Sequence, residues 1–343
     1  MGKKIVIDIG RGEFKLFKDF TIITQNCGYE QHLQPIEIYG IFCKGKDTLL
    51  TRLRYNLIKI PIFIKSLIQI PNDSKILFIY PHPFGILIRF FFYFLKLKKC
   101  NITMLCADID YFRGLNKSLF KEVNNLNSAH KILLHTPNML NACRKANIKT
   151  PADIIHLFDY ITDYTAPLTN GEEGFRIAFA GNFNKAPFIN QLKKLNCNQM
   201  KFLLYGSPNN NLITNNWIEY KGCFTPDNIS EVHGDWGLVW DGDSLENGNS
   251  GNMYAEYLKI NYPYKTSLYI VANLPLIVWK ESGIAQFVEE NHLGITIDSL
   301  YEIEEKILSL SSEEKEIMKK SVRDFAQKLK NGEILTAVLN KIN

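Results

Sequence analysis

The sequence lacks the paired cysteines that mark a disulfide framework or a zinc site. Its 343 residues include seven cysteines, an odd number, and no two of them form a C-x-x-C pair. Disulfide scaffolds need an even set at close spacing, and structural zinc sites need clustered thiolates. We therefore expect no such framework or zinc site, and a reducing cytoplasmic location.

An unbroken apolar run is also missing. Residues 76–95 have the length of a membrane span, but two prolines, a glycine and an arginine interrupt them. Such interruptions favour a buried strand over 76–80, a turn, and an aromatic helix from about 84 to 98. At the N-terminus, Asp8 interrupts a short apolar run and no small-residue cleavage site follows, which predicts a first strand and not a signal peptide.

Acidic residues are nearly absent from residues 48–107. This stretch holds nine Lys and Arg against one acid, Asp73, an excess larger than the +5 of the whole chain. Because Ile, Leu and Phe alternate with these bases, the stretch fits an anionic membrane surface and, equally well, a solvated rim around an apolar helix. No nucleic-acid motif accompanies the charge, so nucleic acid is not an expected partner.

Strand-like runs alternate with helix-length segments along most of the chain. This order predicts an α/β protein with parallel sheets, and 343 residues suffice for two domains. The predicted strands cover 4–9, 20–24, 76–80, 102–106, 131–134, 175–180, 201–205, 236–240, 275–279 and 294–297. The predicted helices cover 50–68, 84–98, 114–127, 137–147, 185–195, 265–273, 282–291, 300–309 and 312–331.

Two runs of strands indicate two sheets. The polar, turn-rich residues 159–175 separate them and suit a linker. We expect an N-terminal domain over 1–160, a C-terminal domain over 161–311, and C-terminal helices over 312–343. Ser311 and Glu314 predict a capping box at the start of the last region.

Polar and glycine residues follow several predicted strands of the second half. Ligands of parallel α/β sheets bind outside the carboxyl ends of the strands, which makes these residues candidates for a nucleotide site. Glycine permits a close backbone approach, lysine can reach phosphate, and an aromatic ring can stack on a base. Ordinary surface turns remain the alternative. The candidates are Gly181, Asn182, Lys185, Tyr205, Gly206 and Phe224.

Asp241 and Asp243 lie one residue apart after the strand 236–240. Such a pair can bind a divalent ion, but Lys259 and Lys265 supply nearby positive charge, so we expect no metal here. Orienting donor hydroxyls and stabilising their own loop are equally open roles for these acids.

The densest candidate cluster is Lys259, Asn261, Lys265, Thr266 and Ser267. Cations beside the first amides of a helix suit a diphosphate, which gains negative charge as a leaving group. A solvated lysine loop capped by Ser267 is the alternative.

A base for an acceptor hydroxyl is expected at the ends of the first-half strands. Asp108 and Asp110 follow the strand 102–106, and Arg113 lies near enough to hold one of them ionised or to contact an acceptor. His82 and His135 also follow predicted strands and are alternative bases or acceptor contacts.

Three blocks carry most of a family resemblance: residues 240–244 (WDGDS), 257–269 (YLKINYPYKTSLY) and 105–114 (LCADIDYFRG), and residues 158–160 (FDY) and 180–182 (AGN) match two further short blocks. They resemble the family that holds the bacterial β-1,6-galactofuranosyltransferases of surface polysaccharide synthesis and the glucosyltransferases of streptococcal adhesins. The resemblance covers most of 75–325, while the first 70 residues match poorly.

The resemblance implies a GT-B architecture, with two Rossmann-like domains whose parallel sheets face each other across a cleft and a last helix that crosses back to the first domain. It implies a UDP-sugar donor and no metal or other cofactor. Asp108 aligns with the first Asp of the family block, which favours Asp108 over Asp110 as the base. Ala107 stands where the family has a histidine, so a partner for that base is missing.

The expected activity is transfer of a hexose, with inversion, to a surface-polysaccharide or lipid-linked glycan. Galactofuranose is the preferred sugar because residues 240–244 and 257–269 look closer to the galactofuranosyl branch. A UDP-glucose-dependent transferase and an inactive glycan- or nucleotide-binding partner of another transferase are the alternatives. A peripheral position at the inner membrane face and a homo-oligomer both remain open.

Overall fold

The computed structural model describes residues 2–8, 14–32, 67–82, 87–115, 118–166, 175–207, 214–246 and 252–342, with positions 57, 61, 64, 65 and 212. Two compact units divide the chain. The first comprises 1–135, 140–155 and 335–343, and the second comprises 136–139 and 156–334. The main change of unit, after residue 155, lies five residues before the predicted boundary at 160.

The first unit is built on a six-stranded parallel sheet in the order β2-β1-β3-β4-β5-β6. Its central strands are largely buried, mostly apolar runs, which is the pattern of a sheet covered on both faces. The strands are β1 (Lys4–Ile7), β2 (Glu30–His32), β3 (Lys75–Tyr80), β4 (Asn101–Cys106), β5 (Lys131–Leu134) and β6 (Ala152–Ile154).

Helices in this part of the chain include α1 (Lys15–Asn26), α2 (Leu87–Leu97), α3 (Leu119–Leu126) and α4 (Pro137–Lys145). The predicted strand over 20–24 is wrong, because α1 occupies these residues. Phe17, Phe20, Ile23 and Thr24 are buried along one face of this helix, and that helical spacing prevails over the β-branched composition. The predicted helix over 50–68 lies largely outside the described residues.

The second unit has its own six-stranded parallel sheet, in the order β12-β11-β10-β7-β8-β9. Five of its strands were predicted, and the short edge strand β9 was missed. The strands are β7 (Phe175–Ala180), β8 (Met200–Tyr205), β9 (Ile218–Gly222), β10 (Trp236–Val239), β11 (Leu276–Trp279) and β12 (Gly294–Ile297).

Several helices of the second unit match the predicted positions. The predicted helix 185–195 is instead two 3₁₀ segments, Phe183–Lys185 and Pro187–Lys194. Pro187 has no backbone N–H to donate, so it interrupts the hydrogen bonds of a continuous helix there. The α-helices are α5 (Met253–Leu258), α6 (Lys265–Val271), α7 (Ala285–Glu290), α8 (Ile303–Ser309) and α9 (Ser312–Lys330).

The C-terminal part begins with the predicted capping box, in which Ser311 and Glu314 bond reciprocally at the start of α9. α9 packs on α6 within the second unit. A further helix, α10 (Glu333–Ile342), was not predicted as a separate element, and its residues from 335 onward belong to the first unit.

Of the described residues within 76–95, residues 76–80 lie in the strand β3 and residues 87–95 lie in the helix α2, as predicted. Among the described residues, no helix has both the length and the apolar character to cross a bilayer.

Candidate functional site

Hydrogen bonds to residues 185–191 hold the loop that follows β10 in a fixed shape. Gly242 has φ +100°, a conformation that side chains disfavour. Its N–H donates to the Lys185 carbonyl at 3.0 Å, and its carbonyl accepts from the Phe188 N–H at 3.1 Å. The amide of Gln191 donates to the carbonyl of Asp243. The predicted donor residues Lys185, Asp241 and Asp243 therefore belong to one structured region.

Lys265 extends from the start of α6 to this loop. Its ammonium lies 2.7 Å from Asp241 Oδ1 and 3.1 Å from the Trp240 carbonyl oxygen. It also stands 4.6 Å from the ring centroid of Phe179. Only 12% of the Lys265 side chain is exposed, so its charge is concentrated at the carboxyl ends of β7 and β10.

Gly181 lies next to this ammonium. A Cβ at Gly181 would stand 4.0 Å from Lys265 Nζ and would meet no atom closer than 3.7 Å. Gly181 is exposed and has no side chain, so a phosphate could approach its backbone beside this positive charge.

The neighbouring Gly206 is required for a different reason. Its φ is +153°, and a Cβ there would stand 2.0 Å from the Gly181 carbonyl oxygen. The Gly181 N–H donates to Tyr205 O, and the Gly206 N–H donates to Gly222 O. Glycines thus end three adjacent strands and let their backbones approach one another closely.

The two aromatic candidates for base stacking differ in accessibility. Tyr205 is buried, and its hydroxyl exchanges hydrogen bonds with the backbone of His233 at 3.0 and 3.3 Å. Phe224 is half-buried and meets Tyr205 edge-on at 6.0 Å. Of the two rings, only Phe224 offers an accessible face to a base in this conformation.

Asn182 and Lys185 lie in the turn after β7. Asn182 caps the 3₁₀ segment by accepting from the Asn184 N–H at 2.9 Å. The Lys185 ammonium stands 5.8 Å from the Tyr254 ring centroid. Both side chains reach the surface.

Lys259 and Asn261 follow α5. The Lys259 ammonium pairs with Glu256 at 2.9 Å and lies 5.5 Å from the Trp279 ring centroid. Among the described residues, Asn261 Oδ1 is a buried oxygen without a hydrogen-bond partner. Such an oxygen is costly to leave unpaired, so Asn261 keeps its candidacy as a ligand contact.

Thr266 and Ser267 are fully buried. The Ser267 hydroxyl donates to the Phe158 carbonyl, and the Thr266 N–H donates to Pro263 O at 2.9 Å. The structure thus places both side chains in the core. The Thr266 N–H, one of the helix amides expected to bind phosphate, already donates a hydrogen bond within the protein. Their contact with a donor remains a prediction.

The candidate base of the first unit lies just beyond β4. Arg113 Nη1 stands 2.9 Å from Asp108 Oδ2 and 3.6 Å from Asp110 Oδ1. The predicted trio therefore assembles around one guanidinium, and all three side chains are partly exposed. The ion pair with Arg113 fixes the position of the Asp108 carboxylate.

The two histidines occupy different settings. His135 is buried, its Nε2–H donates to Cys106 O at 2.6 Å, and burial lowers its pKa below the usual value. His82 is half-buried, with its ring edge-on to Phe78 and Tyr80. The buried His135 offers an incoming acceptor less access than Asp108 does.

Some contributors to this region were missed from the sequence. Tyr269 OH accepts from the Ala180 N–H at 2.7 Å, directly before Gly181. Tyr269 follows Lys265 by four residues, so helical spacing places both on one face of α6, and that signal was available. The contact of Phe179 with Lys265 depends on packing between separate elements and carried no local signal.

The two tryptophans Trp240 and Trp279 are fully buried, with ring centroids 6.3 Å apart. In the part of the chain that the structure describes, no group of three metal-ligating side chains is assembled.

The C-terminal half matches a described family. Residues 177–342 match the model of the glucosyltransferase 3-like C-terminal domain. This match contains the loop of Asp241, the helix of Lys265 and Gly181.

Curated relatives support the same family. The chain is 26% identical over 276 residues to the β-1,6-galactofuranosyltransferase WbbI of Escherichia coli K12, covering 79% of each chain. It is 28% identical over 178 residues to glucosyltransferase 3 of Streptococcus gordonii, covering 51% of this chain and 50% of that one. The family resemblance drawn from the three sequence blocks is confirmed.

Solved structures share the fold. Sucrose-phosphate synthase of Thermosynechococcus elongatus superposes with a TM-score of 0.68 at 10% identity, covering 100% of this chain and 98% of that one. Anabaena HepE, solved in complex with UDP, gives 0.63 at 11% identity with 99% of each chain covered. The predicted GT-B fold of two Rossmann-like domains is confirmed, and the comparisons together support a GT-B glycosyltransferase.

Proposed function

We propose that this chain transfers a hexose, preferably galactofuranose, from a UDP-sugar to a hydroxyl of a surface-polysaccharide or lipid-linked glycan, with inversion. The observation that supports it most is the constellation at the carboxyl ends of β7 and β10. There the largely buried ammonium of Lys265 stands beside the open backbone of Gly181 and the carboxylate of Asp241.

Lys265 is suited to the leaving group. As the bond between the anomeric carbon and the diphosphate oxygen breaks, negative charge grows on that oxygen. A cation that binds the developing charge more tightly than the ground state lowers the barrier. Asp241 pairs with this ammonium, so a bound diphosphate would share the ammonium with this carboxylate or displace it.

Asp108 is the proposed base. Its carboxylate accepts the proton of the acceptor hydroxyl while the hydroxyl oxygen forms the new glycosidic bond. The ion pair with Arg113 holds the side chain in place. Asp110, at the longer distance from Arg113, then serves to position this arginine.

The choice of sugar draws on the relatives. The E. coli relative, described as a β-1,6-galactofuranosyltransferase, matches 79% of this chain, whereas the streptococcal glucosyltransferase matches 51%. Among the structural neighbours, one concerns transfer with retention at 12% identity and therefore bears on the fold alone. That neighbour therefore does not decide the stereochemistry of this reaction, and inversion is part of our proposal.

A donor panel tests the proposal. The chain would be incubated with UDP-galactofuranose, UDP-glucose and UDP-galactopyranose, each with galactose- and glucose-terminated acceptors, and the anomeric configuration of any product read by NMR. We expect the fastest transfer from UDP-galactofuranose, with a β-linked product. Transfer from UDP-glucose alone would show that glucose, and not galactofuranose, is the sugar transferred. An α-linked product would show that the anomeric configuration is retained and not inverted.

The same assay addresses the two alternatives. A UDP-glucose-dependent transferase predicts activity confined to that donor. An inactive partner of another transferase predicts that UDP binds while no sugar moves to any acceptor. The absence of both binding and turnover would contradict every form of the proposal.

A further inference from the structure

The helix α2 is apolar on both of its sides. One side, formed by Ile88, Phe91, Phe92 and Leu95, is buried in the first unit. A helix that is apolar all round is normally enclosed by protein or lipid. The buried side accounts for only half of this apolar surface.

The opposite side of α2 carries an aromatic stripe, defined here as Phe90, Tyr93, Phe94 and Leu97. These side chains are 54%, 59%, 42% and 60% exposed. Their spacing of three and four residues places them in one row. The rings of Tyr93 and Phe94 also pack edge-on, 5.7 Å apart.

Neighbouring elements extend this exposed apolar surface. Phe120 of α3 is 71% exposed, and the guanidinium of Arg89 lies 5.5 Å from its ring centroid. Ile68 is exposed as well, and the Lys98 ammonium bonds to the carbonyls of Leu67 and Ile70, which holds that segment beside the end of α2. Contiguous apolar patches of this kind mark interaction surfaces.

The charges on and beside the stripe have one sign. Arg89 and Lys96 lie on α2, Lys99 follows it, and α2 contains no acid. Across residues 48–107 the single acid is Asp73. A second copy docking through the same stripe would bring like charges together, which is unfavourable. An anionic surface would instead neutralise them.

We propose that the aromatic stripe of α2 docks on an anionic lipid surface. Phe90, Phe94 and Leu97 enter the boundary between headgroups and acyl chains, Tyr93 keeps its hydroxyl at the headgroup level, and Arg89 and Lys96 contact lipid phosphates. This inference goes beyond sugar transfer, because lipid binding here requires neither UDP nor an acceptor.

Vesicle co-sedimentation of the full chain tests the proposal. Vesicles of phosphatidylcholine alone would be compared with vesicles in which phosphatidylglycerol replaces part of it, at low and high salt. We expect binding to the anionic vesicles, weakened by salt because exposed charges are screened. A chain that stays in the supernatant with both vesicle types overturns the proposal.

Two variants separate the apolar and ionic contributions. A combined Phe90→Ser, Tyr93→Ser and Phe94→Ser variant should lose at least about tenfold in vesicle affinity, because it removes the apolar contact. Its matched control, Leu308→Ser with Ile317→Ser, changes exposed apolar residues of α8 and α9 and should bind like the wild type.

A combined Arg89→Gln and Lys96→Gln variant should lose about tenfold on anionic vesicles only. Lys319→Gln with Lys320→Gln is its control, since these exposed lysines lie on α9. Circular dichroism and thermal unfolding establish that each variant is folded. Equal vesicle binding by stripe variants and controls would overturn the proposal. So would a wild-type dimer that the stripe variant converts to monomer without any vesicle binding, because the stripe would then serve a second copy of the chain.

Discussion

The side chains at the carboxyl ends of the two parallel sheets differ in charge and arrangement. At the carboxyl end of β4, two carboxylates share one arginine, with Arg113 lying 2.9 Å from Asp108. At the carboxyl ends of β7 and β10, one lysine is held by one carboxylate beside glycine backbone. The first arrangement suits a group that accepts a proton, and the second suits a group that receives an anion. One fold type, used twice, thus presents two carboxylates around an arginine in one unit and a largely buried lysine in the other.

The contrast extends to how each charge is held. Lys265 is fixed by a carboxylate, a backbone carbonyl and an aromatic ring. Asp108 and Arg113 are more exposed, at 24% and 19%. The Lys265 ammonium is therefore more enclosed than the ion pair of Asp108 and Arg113. Four experiments test this difference between the two units.

The largest effect is expected from Asp108→Asn. Removing the proton acceptor should lower turnover by roughly 10²–10⁴-fold while UDP affinity stays nearly constant, because the change leaves the second unit intact. Steady-state kinetics and calorimetry measure the two quantities. Near-normal turnover would reassign the base to Asp110, His82 or His135.

Lys265→Ala should weaken UDP binding by about 1.5–3 kcal/mol, the range of a charge-assisted contact. Calorimetry on the folded variant measures the loss, and thermal unfolding checks that Asp241, left without its partner, does not unfold the unit. Lys320→Ala is the matched control, because the exposed Lys320 lies on α9 and pairs with Asp324 there. If both variants bind UDP like the wild type, Lys265 does not belong to the donor site.

Tyr269→Phe tests the framework behind the cation site. The change removes the hydroxyl that accepts from the buried Ala180 N–H, and an unpaired buried amide costs about 1–3 kcal/mol. Chemical denaturation should report this loss of unfolding free energy. A variant as stable as the wild type would show that water replaces the hydroxyl. Tyr205→Phe removes a hydroxyl from the same sheet for comparison.

The smallest effect is expected from removing metal. If lysine neutralises the leaving diphosphate, excess chelator should leave transfer almost unchanged, and Asp243→Asn should alter donor recognition without creating a metal requirement. Activity that stops with chelator and returns with magnesium or manganese would instead place a divalent ion at Asp241 and Asp243.

The central strands were predictable because they are largely apolar runs bounded by turn residues, as in 76–80. The edge strands β2, β6 and β9 were not predicted, because their short sequences are mostly polar or mixed. The helix α1 was not, since residues 20–24 (FTIIT) read as a buried strand when taken alone. The spacing of apolar residues over so short a run does not distinguish a strand from a helix. Only the full window Lys15–Asn26 shows the helical face.

The candidate site was predictable to the level of residue type and strand end. Asp108, Asp110 and Arg113 do assemble, and Asp241 and Lys265 do meet. Burial of Ser267 against Phe158 was not predictable, because that contact joins residues 109 apart in sequence. Local patterns indicate where a strand ends, whereas only packing determines which side chains remain open there.

A crystal structure of the chain with UDP would test the central claim most directly. The account predicts the diphosphate within hydrogen-bond distance of Lys265 Nζ and next to the backbone of Gly181, with the ion pair to Asp241 lengthened or shared. A diphosphate bound elsewhere, with Lys265 still held by Asp241 as it is here, would contradict it.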